Sequence, residues 1–362
     1  MPSLFDPLDL GPLQLPNRIV MAPLTRGRAT REAVPTPIMA DYYAQRASAG
    51  LIISEATGIS REGLGWPFAP GLWTDEQVEA WKPVTDAVHA AGGRMVAQLW
   101  HMGRLVHPDL GGGQPVSASA TTAPDYAHTY EGKKPYGEAR AATRDDIRRI
   151  VGDYARAARN AVAAGFDGVQ VHGANGYLID QFLRDGANHR SDEYGGSVEN
   201  RLRFVTEVLE AVGGAIGMDR VGIRFSPNIV SQGVEDSDPV GLFSALAKRL
   251  EELSVPWIEL REPRPGTSFG SAPTEPVSGA MREHYSGRIV LNSDYNGPSA
   301  QARLDEGVAD AISFGRTILA NPDLVERIRS GAPLNQPNTR TFYTQGPEGY
   351  VDYPRLDEAR AA

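Results

Sequence analysis

The feature that most constrains the fold is a regular alternation of short apolar runs with longer segments of helical spacing. The runs are rich in β-branched residues and too short for helices, which is typical of buried strands. They lie at residues 18–22, 51–54, 94–99, 168–172, 221–225, 257–260, 288–291 and 311–314. The helical segments lie at residues 37–49, 75–91, 143–165, 197–212, 239–253, 298–307 and 321–330.

Eight strands that alternate with about eight helices predict a (β/α)8 barrel of the α/β class, and a chain of 362 residues is long enough for one. A doubly wound parallel sheet is the alternative, but that fold usually has a glycine-rich turn after its first strand. Here Pro23, Leu24 and Thr25 follow the first predicted strand instead. The barrel is therefore the preferred prediction.

The chain shows no internal repeat and no linker, so we predict a single domain over residues 1–362. Residues 101–140 are rich in Gly, Pro, Ser and Thr and have no helical pattern. On a barrel they form a lid-like insertion after strand three. A C-terminal segment follows at about residues 335–362.

The composition excludes several kinds of site and partner. The chain has no cysteine, which excludes disulfides, thiolate zinc sites, cysteine-ligated iron–sulfur clusters and cysteine nucleophiles. A net charge of −9 argues against nucleic-acid and anionic-membrane partners. There is neither a signal-peptide pattern nor a long apolar stretch, so we expect a cytoplasmic protein. Whether it is a monomer or a homo-oligomer is left open.

Polar residues follow the predicted strands, where barrel enzymes place their chemistry. They are mainly amides, hydroxyls and arginines, without the clustered carboxylates and histidines of a divalent metal site. We therefore predict no metal; a metal-dependent hydrolase or aldolase that uses His101 or His172 is the alternative. The strand ends carry Thr25, residues 55–57, Gln98, Trp100, His101, His172, Arg224, Glu259 or Arg261, residues 292–294 and residues 315–316.

The densest signal follows the fourth predicted strand, at His172, Asn175 and Tyr177. His172 and Asn175 can both donate hydrogen bonds to one oxygen, which suits the polarisation of a carbonyl or nitro group. The Tyr177 phenol can donate a proton to a developing carbanion. A core histidine and a packing tyrosine are the alternative, but the strand-end position and the spacers Gly173 and Gly176 favour a catalytic role.

A second signal lies after the last two strands, at Ser293, Asp294, Gly315 and Arg316. Barrels often bind phosphate with the loops after strands seven and eight. Arg316 can add charge-assisted hydrogen bonds to a phosphate. An ordinary turn with a surface arginine is the alternative.

These residues lie in motifs that resemble the Old Yellow Enzyme family of FMN-dependent ene-reductases. The motifs occur in order along nearly the whole chain, at residues 17–26, 42–46, 54–57, 98–104, 165–182, 188–197, 222–227, 314–316, 321–324 and 349–354. Thr25 stands where another branch of the family places a cysteine beside the flavin. The lack of cysteine also excludes the relatives that carry an iron–sulfur cluster.

The resemblance implies a tightly bound, non-covalent FMN. The hydroxyl of Thr25 would lie near flavin N5, Gln98 would pair with the pyrimidine edge and Arg224 would lie near N1 and O2. The carboxylate of Asp294 would repel the phosphate unless it points away. The implied cofactor-binding residues are Pro23, Leu24, Thr25, Ala56, Gln98, His172, Arg224, Ser293, Asp294, Gly315 and Arg316.

The resemblance also implies an NAD(P)H-dependent reduction of electron-poor C=C bonds in enones, maleimides and nitroalkenes by ping-pong hydride transfer. His172 and Asn175 would bind the electron-withdrawing oxygen, and Tyr177 would donate the proton. The implied substrate-binding residues are His172, Asn175, Trp66, Trp100 and Tyr343. A flavin-binding protein without turnover is the alternative, and the complete catalytic set argues against it.

Overall fold

The computed structural model of the chain describes residues 1–263 and 274–357. The strands are β1 (Leu8–Leu10), β2 (Leu13–Leu15), β3 (Ile19–Met21), β4 (Leu51–Gly58), β5 (Met95–Trp100), β6 (Val116–Ser117), β7 (Tyr126–Thr129), β8 (Gly132–Pro135), β9 (Arg140–Ala141), β10 (Gly168–His172), β11 (Val221–Phe225), β12 (Trp257–Arg261), β13 (Arg288–Asn292) and β14 (Ala311–Phe314). The helices are α1 (Ile38–Ala44), α2 (Asp75–Ala90), α3 (Arg144–Ala163), α4 (Leu178–Leu183), α5 (Val198–Ile216), α6 (Pro239–Glu252), α7 (Ser278–Arg282), α8 (Gly297–Asp305), α9 (Arg316–Ala320) and α10 (Leu324–Ser330).

Eight parallel strands close a barrel in the order β3, β4, β5, β10, β11, β12, β13 and β14, and β14 pairs again with β3. This confirms the predicted (β/α)8 barrel and excludes the doubly wound sheet. The predicted bounds of β10, β11 and β14 are those observed. By contrast, β4 continues beyond residue 54 because the polar residues Glu55 and Thr57 are buried within the strand.

A short antiparallel hairpin, β1 and β2, closes the N-terminal end of the barrel. Its Leu8, Leu10 and Leu15 pack with Val96 and Trp257, which point into the barrel from the beginnings of β5 and β12. The sequence does not predict this hairpin because each strand has only three residues, too few for a periodic pattern. The hairpin therefore covers the barrel interior at its N-terminal end.

The longer helices begin where capping residues predict. Thr74 accepts a hydrogen bond from the backbone of Gln77 at the start of α2, and Thr143 caps α3 in the same way through Asp146. The short helices α4, α7 and α9 are missing from the prediction, because one or two turns leave no periodic signal. No helix within the described residues is long and apolar enough to cross a membrane.

The insertion at residues 101–140 contains two small sheets beside the barrel. Strand β6 pairs with β9, and β7 with β8 form a hairpin. The hairpin contacts the loop after β4, because the rings of His128 and Trp66 lie 4.5 Å apart and those of Tyr130 and Phe68 lie 5.0 Å apart. The insertion therefore lies at the C-terminal end of the barrel. The predicted C-terminal segment is described as far as residue 357.

Candidate active site

A cavity of about 770 Å³ opens at the C-terminal ends of the barrel strands. This volume is in the range of sites for cofactors and drug-sized molecules. Many residues expected at the site line it, from five different strand ends or loops and from the C-terminal segment. They are Pro23, Leu24, Thr25, Asn175, Tyr177, Arg224, Ser293, Asp294, Gly315, Arg316 and Tyr343.

Five other expected residues do not line this cavity: Ala56, Gln98, His172, Trp66 and Trp100. Ring contacts connect three of them, His172, Trp100 and Trp66, to residues that line it. The ring of His172 lies 4.8 Å and that of Trp100 5.0 Å from the ring of Tyr177. Trp66 lies 5.0 Å from Tyr343, and Ala56 pairs with Gln98 across β4 and β5.

The environment of His172 makes its ring a hydrogen-bond donor. Its Nδ1 accepts a hydrogen bond from the backbone N–H of Ala174 at 3.3 Å. Burial, and then the charges of Arg224 and Arg261, lowers the pKa of His172 well below its usual range. The ring is therefore neutral at physiological pH, and its one hydrogen is on Nε2.

The side-chain amide of Asn175 also has its orientation fixed by its neighbours. Its backbone adopts the left-handed conformation, with φ of +60°, and its N–H donates to the hydroxyl of Ser226 at 2.7 Å. Its Oδ1 accepts a hydrogen bond from Arg261 at 2.7 Å. The Nδ2 group, which can only donate, is left for another partner.

Arg261 is a functional candidate for which sequence reasoning predicted no specific role. It lines the cavity at the end of β12. Burial, together with the nearby charge of Arg224, lowers the pKa of Arg261 to about 10, so the guanidinium is charged at neutral pH. Its strand-end position was the available signal, but contact with Asn175 depends on a loop conformation that no local pattern predicts.

The loop that carries Asn175 and Tyr177 is held by a buried ion pair. Gly176 has φ of +78°, and a Cβ there would lie 2.5 Å from the carbonyl oxygen of Ser231, so only glycine fits. The Gly176 N–H donates to Asp180 at 2.8 Å, and Arg184 donates to the other carboxylate oxygen at 2.7 Å. Arg184 also donates to the Ser226 carbonyl.

Tyr177 is protonated throughout the physiological range. Burial raises the pKa of its phenol above the usual value. Its ring packs edge-on against His172 and Trp100, and it lines the cavity. A neutral phenol in this position can hold and release a proton.

The predicted phosphate cradle contains an internal ion pair. Arg316 donates to the carboxylate of Asp294 at 2.7 Å, and both side chains are about one-third exposed (36% and 32%). The carboxylate therefore faces Arg316. It neutralises part of the positive charge that an anionic ligand would meet.

Two buried arginines attach the C-terminal segment to the cavity wall. Arg26 donates to the Gly349 carbonyl at 2.7 Å, and Arg28 donates to the carbonyls of Phe342 at 2.9 Å and Thr341 at 3.0 Å. These bonds place Phe342 and its neighbour Tyr343 in the lining. The hydrogen-bonded residues are more than 300 positions apart in the chain, and no pattern in a single sequence predicts that they are in contact.

The lining fits a flat, anionic ligand such as FMN. Pro23 and Leu24 supply an apolar surface, and four arginines are among the lining residues, Arg26, Arg224, Arg261 and Arg316. The Nε atom of Arg224 is buried without a hydrogen-bond partner. In the described part of the chain, no group of three or more His, Asp or Glu side chains is arranged to hold a metal ion.

Comparison with known proteins agrees with this geometry. Residues 3–335 match the NADH:flavin oxidoreductase / NADH oxidase family. The 12-oxophytodienoate reductase 1 of Oryza sativa subsp. japonica is 43% identical, over 98% of this chain and 93% of its own length. The solved old yellow enzyme homologue from Zymomonas mobilis is 57% identical with a TM-score of 0.97, over 98% of this chain and all of that one. Morphinone reductase, solved with tetrahydroNAD, is 46% identical with a TM-score of 0.93, over 99% of both chains.

Proposed function

The chain belongs to the NADH:flavin oxidoreductase / NADH oxidase family, as its Old Yellow Enzyme motifs predicted, and on that premise we propose that it reduces the C=C bonds of enones, maleimides and nitroalkenes. It is an NAD(P)H-dependent flavin oxidoreductase with FMN as its cofactor. Bound FMN would supply the hydride-transfer chemistry that couples the oxidation of NAD(P)H to the reduction of the alkene. Residues of this chain would bind the cofactor and the alkene and supply the proton.

The observation that supports the proposal is that His172 packs against the protonated phenol of Tyr177, while Asn175 lines the same cavity as this phenol. His172 has its hydrogen on Nε2, and Asn175 has its Nδ2 group free of the bond to Arg261. Two such donors stabilise the negative charge that develops on a carbonyl or nitro oxygen as the alkene accepts hydride. Tyr177 then supplies the proton that completes the reduction.

The cofactor would be held along one side of the cavity. Thr25 would donate its hydroxyl to the ring, Gln98 would bind the pyrimidine edge, and Arg224 would place a positive charge where the ring becomes negative on reduction. The complete proposed set is Pro23, Leu24, Thr25, Ala56, Gln98, His172, Arg224, Ser293, Asp294, Gly315 and Arg316. Its support is that most of these residues line one cavity.

The alkene would enter beneath the aromatic residues Trp66, Trp100 and Tyr343. Tyr343 is 53% exposed, so it lies at the mouth of the cavity, whereas Trp100 is buried behind Tyr177. We infer that these rings shape the substrate site. A cytoplasmic location is part of the same proposal, because NAD(P)H is supplied there.

The test is a steady-state assay of the purified protein with NADH and NADPH. We expect a yellow protein that oxidises a nicotinamide when 2-cyclohexenone, N-ethylmaleimide or a nitroalkene is present, with the saturated compound as product. A protein that NAD(P)H reduces but no alkene reoxidises would be a flavoprotein without ene-reductase turnover. A protein that refuses FMN on reconstitution would refute the proposal at its first step.

Removing the carboxylate of Asp294 is expected to strengthen cofactor binding. Asp294→Asn removes the negative charge that faces the Arg316 guanidinium, so the phosphate would meet more net positive charge and the Kd for FMN should fall about threefold, as expected for a partly exposed pair. Fluorescence quenching of FMN titrated with apoprotein measures this Kd.

Asp192 provides the matched control for this variant. It is 30% exposed and pairs with Arg190 at 2.6 Å, and neither residue lines the cavity. Asp192→Asn should leave the Kd for FMN unchanged. If Asp294→Asn weakens FMN binding, its carboxylate does not compete with the phosphate.

A further inference from the structure

A buried carboxylate lies inside the barrel beneath the cavity, and the proposed reaction does not use it. Glu259, on β12, is fully buried. One of its oxygens accepts a hydrogen bond from the Ser313 hydroxyl at 2.6 Å, and the other accepts one from Gln170 Nε2 at 2.8 Å. That second oxygen also lies 3.5 Å from Nε of Arg224. An anion buried this deeply requires such partners.

These hydrogen bonds fix the orientation of two neighbouring side-chain amides, those of Gln170 and Gln98. A carboxylate only accepts hydrogen bonds, so Gln170 must turn its Nε2 group toward Glu259. Its Oε1 then accepts from Gln98 Nε2 at 2.7 Å. Gln98 keeps its Oε1 acceptor and the second N–H of its Nε2 for any further partner.

The same carboxylate sets the electrostatic surroundings of Arg224. The guanidinium lies between Glu259 and Asn292, whose Oδ1 accepts from Arg224 Nη2 at 2.8 Å. The register of β11 and β12 produces this arrangement, because it places Arg224 directly beside Glu259. In a buried site, charges at this distance are screened little by salt.

We propose that Glu259 is a positioning residue that lowers the reduction potential of the bound cofactor, acting through Arg224 and Gln98. The proposal rests on the proposed function, in which these two residues contact the flavin ring. Arg224 favours the reduced form because that form carries more negative charge. The negative charge of Glu259 opposes this effect, so its removal should favour the reduced form.

The test compares the midpoint potentials of the wild-type holoenzyme and two variants, measured by equilibration with a reference dye. Glu259→Gln keeps the shape and removes the charge. We expect the ratio of FMN affinities, reduced over oxidised, to rise about tenfold, which for a two-electron couple is a rise of about 30 mV in the midpoint potential. Glu259→Asp keeps the charge and should stay at the wild-type potential.

Ser313→Ala is the control for the loss of a hydrogen bond alone. It removes the 2.6 Å bond to Glu259 but leaves the carboxylate in place, so the potential should not rise. If Glu259→Gln weakens the binding of both redox forms equally, the potential is unchanged and the proposed role is refuted. A wild-type protein without FMN would instead refute the proposed function.

A second variant keeps the proposal testable if Glu259→Gln does not hold FMN. Asn292→Asp places a further negative charge beside Arg224 Nη2, while it loses the 3.0 Å hydrogen bond that Asn292 Nδ2 donates to the Ser313 carbonyl. Because this charge also opposes that of Arg224, the midpoint potential should fall. A potential that stays the same or rises would overturn the electrostatic role of the groups that surround Arg224.

Discussion

Replacing Tyr177 by phenylalanine is expected to slow the reduction of enones about 10²- to 10⁴-fold, the usual contribution of a positioned proton donor. The reduction of the flavin by NAD(P)H should stay at the wild-type rate, because that half-reaction needs no proton from the phenol. The substitution removes only the hydroxyl. The ring contacts with His172 and Trp100, with centroids 4.8 Å and 5.0 Å away, can persist.

Stopped-flow measurement of the two half-reactions separates these effects. Tyr136 provides the matched control, since it packs in the same apolar cluster as Tyr177, and burial raises its pKa to about 12. Tyr136 does not line the cavity, so Tyr136→Phe should change neither half-reaction. An unchanged rate of enone reduction in Tyr177→Phe would show that the proton comes from another donor.

The barrel itself could be predicted because each of its strands contains a short, mostly apolar run. In β10 and β11 the predicted and observed bounds coincide, since every residue of both strands is buried. The N-terminal hairpin could not be predicted, because strands of three residues are shorter than a detectable pattern. The same holds for the short helix α4 after Tyr177.

The position of the site could be predicted, but not the partners of its side chains. The rule that polar residues at strand ends face the site placed Thr25, Arg224 and Arg316 in one cavity. Which way the amides of Gln98 and Asn175 point depends on Gln170 and Arg261, which come from other strands. Such contacts depend on the register between neighbouring strands, which cannot be predicted from the sequence of either strand alone.

Removing Arg184 is expected to cause a large loss of stability. In Arg184→Met the carboxylate of Asp180 remains buried, with both residues about 1% exposed, and its charged partner is gone. Breaking a buried ion pair in this way typically costs about 3–5 kcal/mol. Because Asp180 also holds the Gly176 N–H, the loop that carries Asn175 and Tyr177 should lose its geometry, and turnover should fall.

Arg327→Met is the matched control, measured by urea unfolding at saturating FMN. Arg327 pairs with Asp323 four residues away at 2.7 Å, as Arg184 does with Asp180, and both residues of this control pair are buried on α10 or next to it. Neither lines the cavity. Arg327→Met should lose comparable stability at neutral pH but keep its turnover per folded molecule. Equal loss of turnover in the two variants would mean that Asp180 does not position the loop.

The pH dependence of Arg184→Met identifies the buried charge as the cause. Burial already raises the pKa of Asp180 above its usual range against the opposing effect of Arg184, and without Arg184 it should rise further. The folded state then binds a proton more readily than the unfolded state. Stability therefore decreases as pH rises from the unfolded-state pKa of Asp180 toward its higher folded-state pKa. The deficit relative to wild type should therefore shrink as pH falls toward the ordinary pKa of an aspartate, about 4. A deficit that is the same at pH 5 and pH 8 would point to lost packing of the arginine side chain instead.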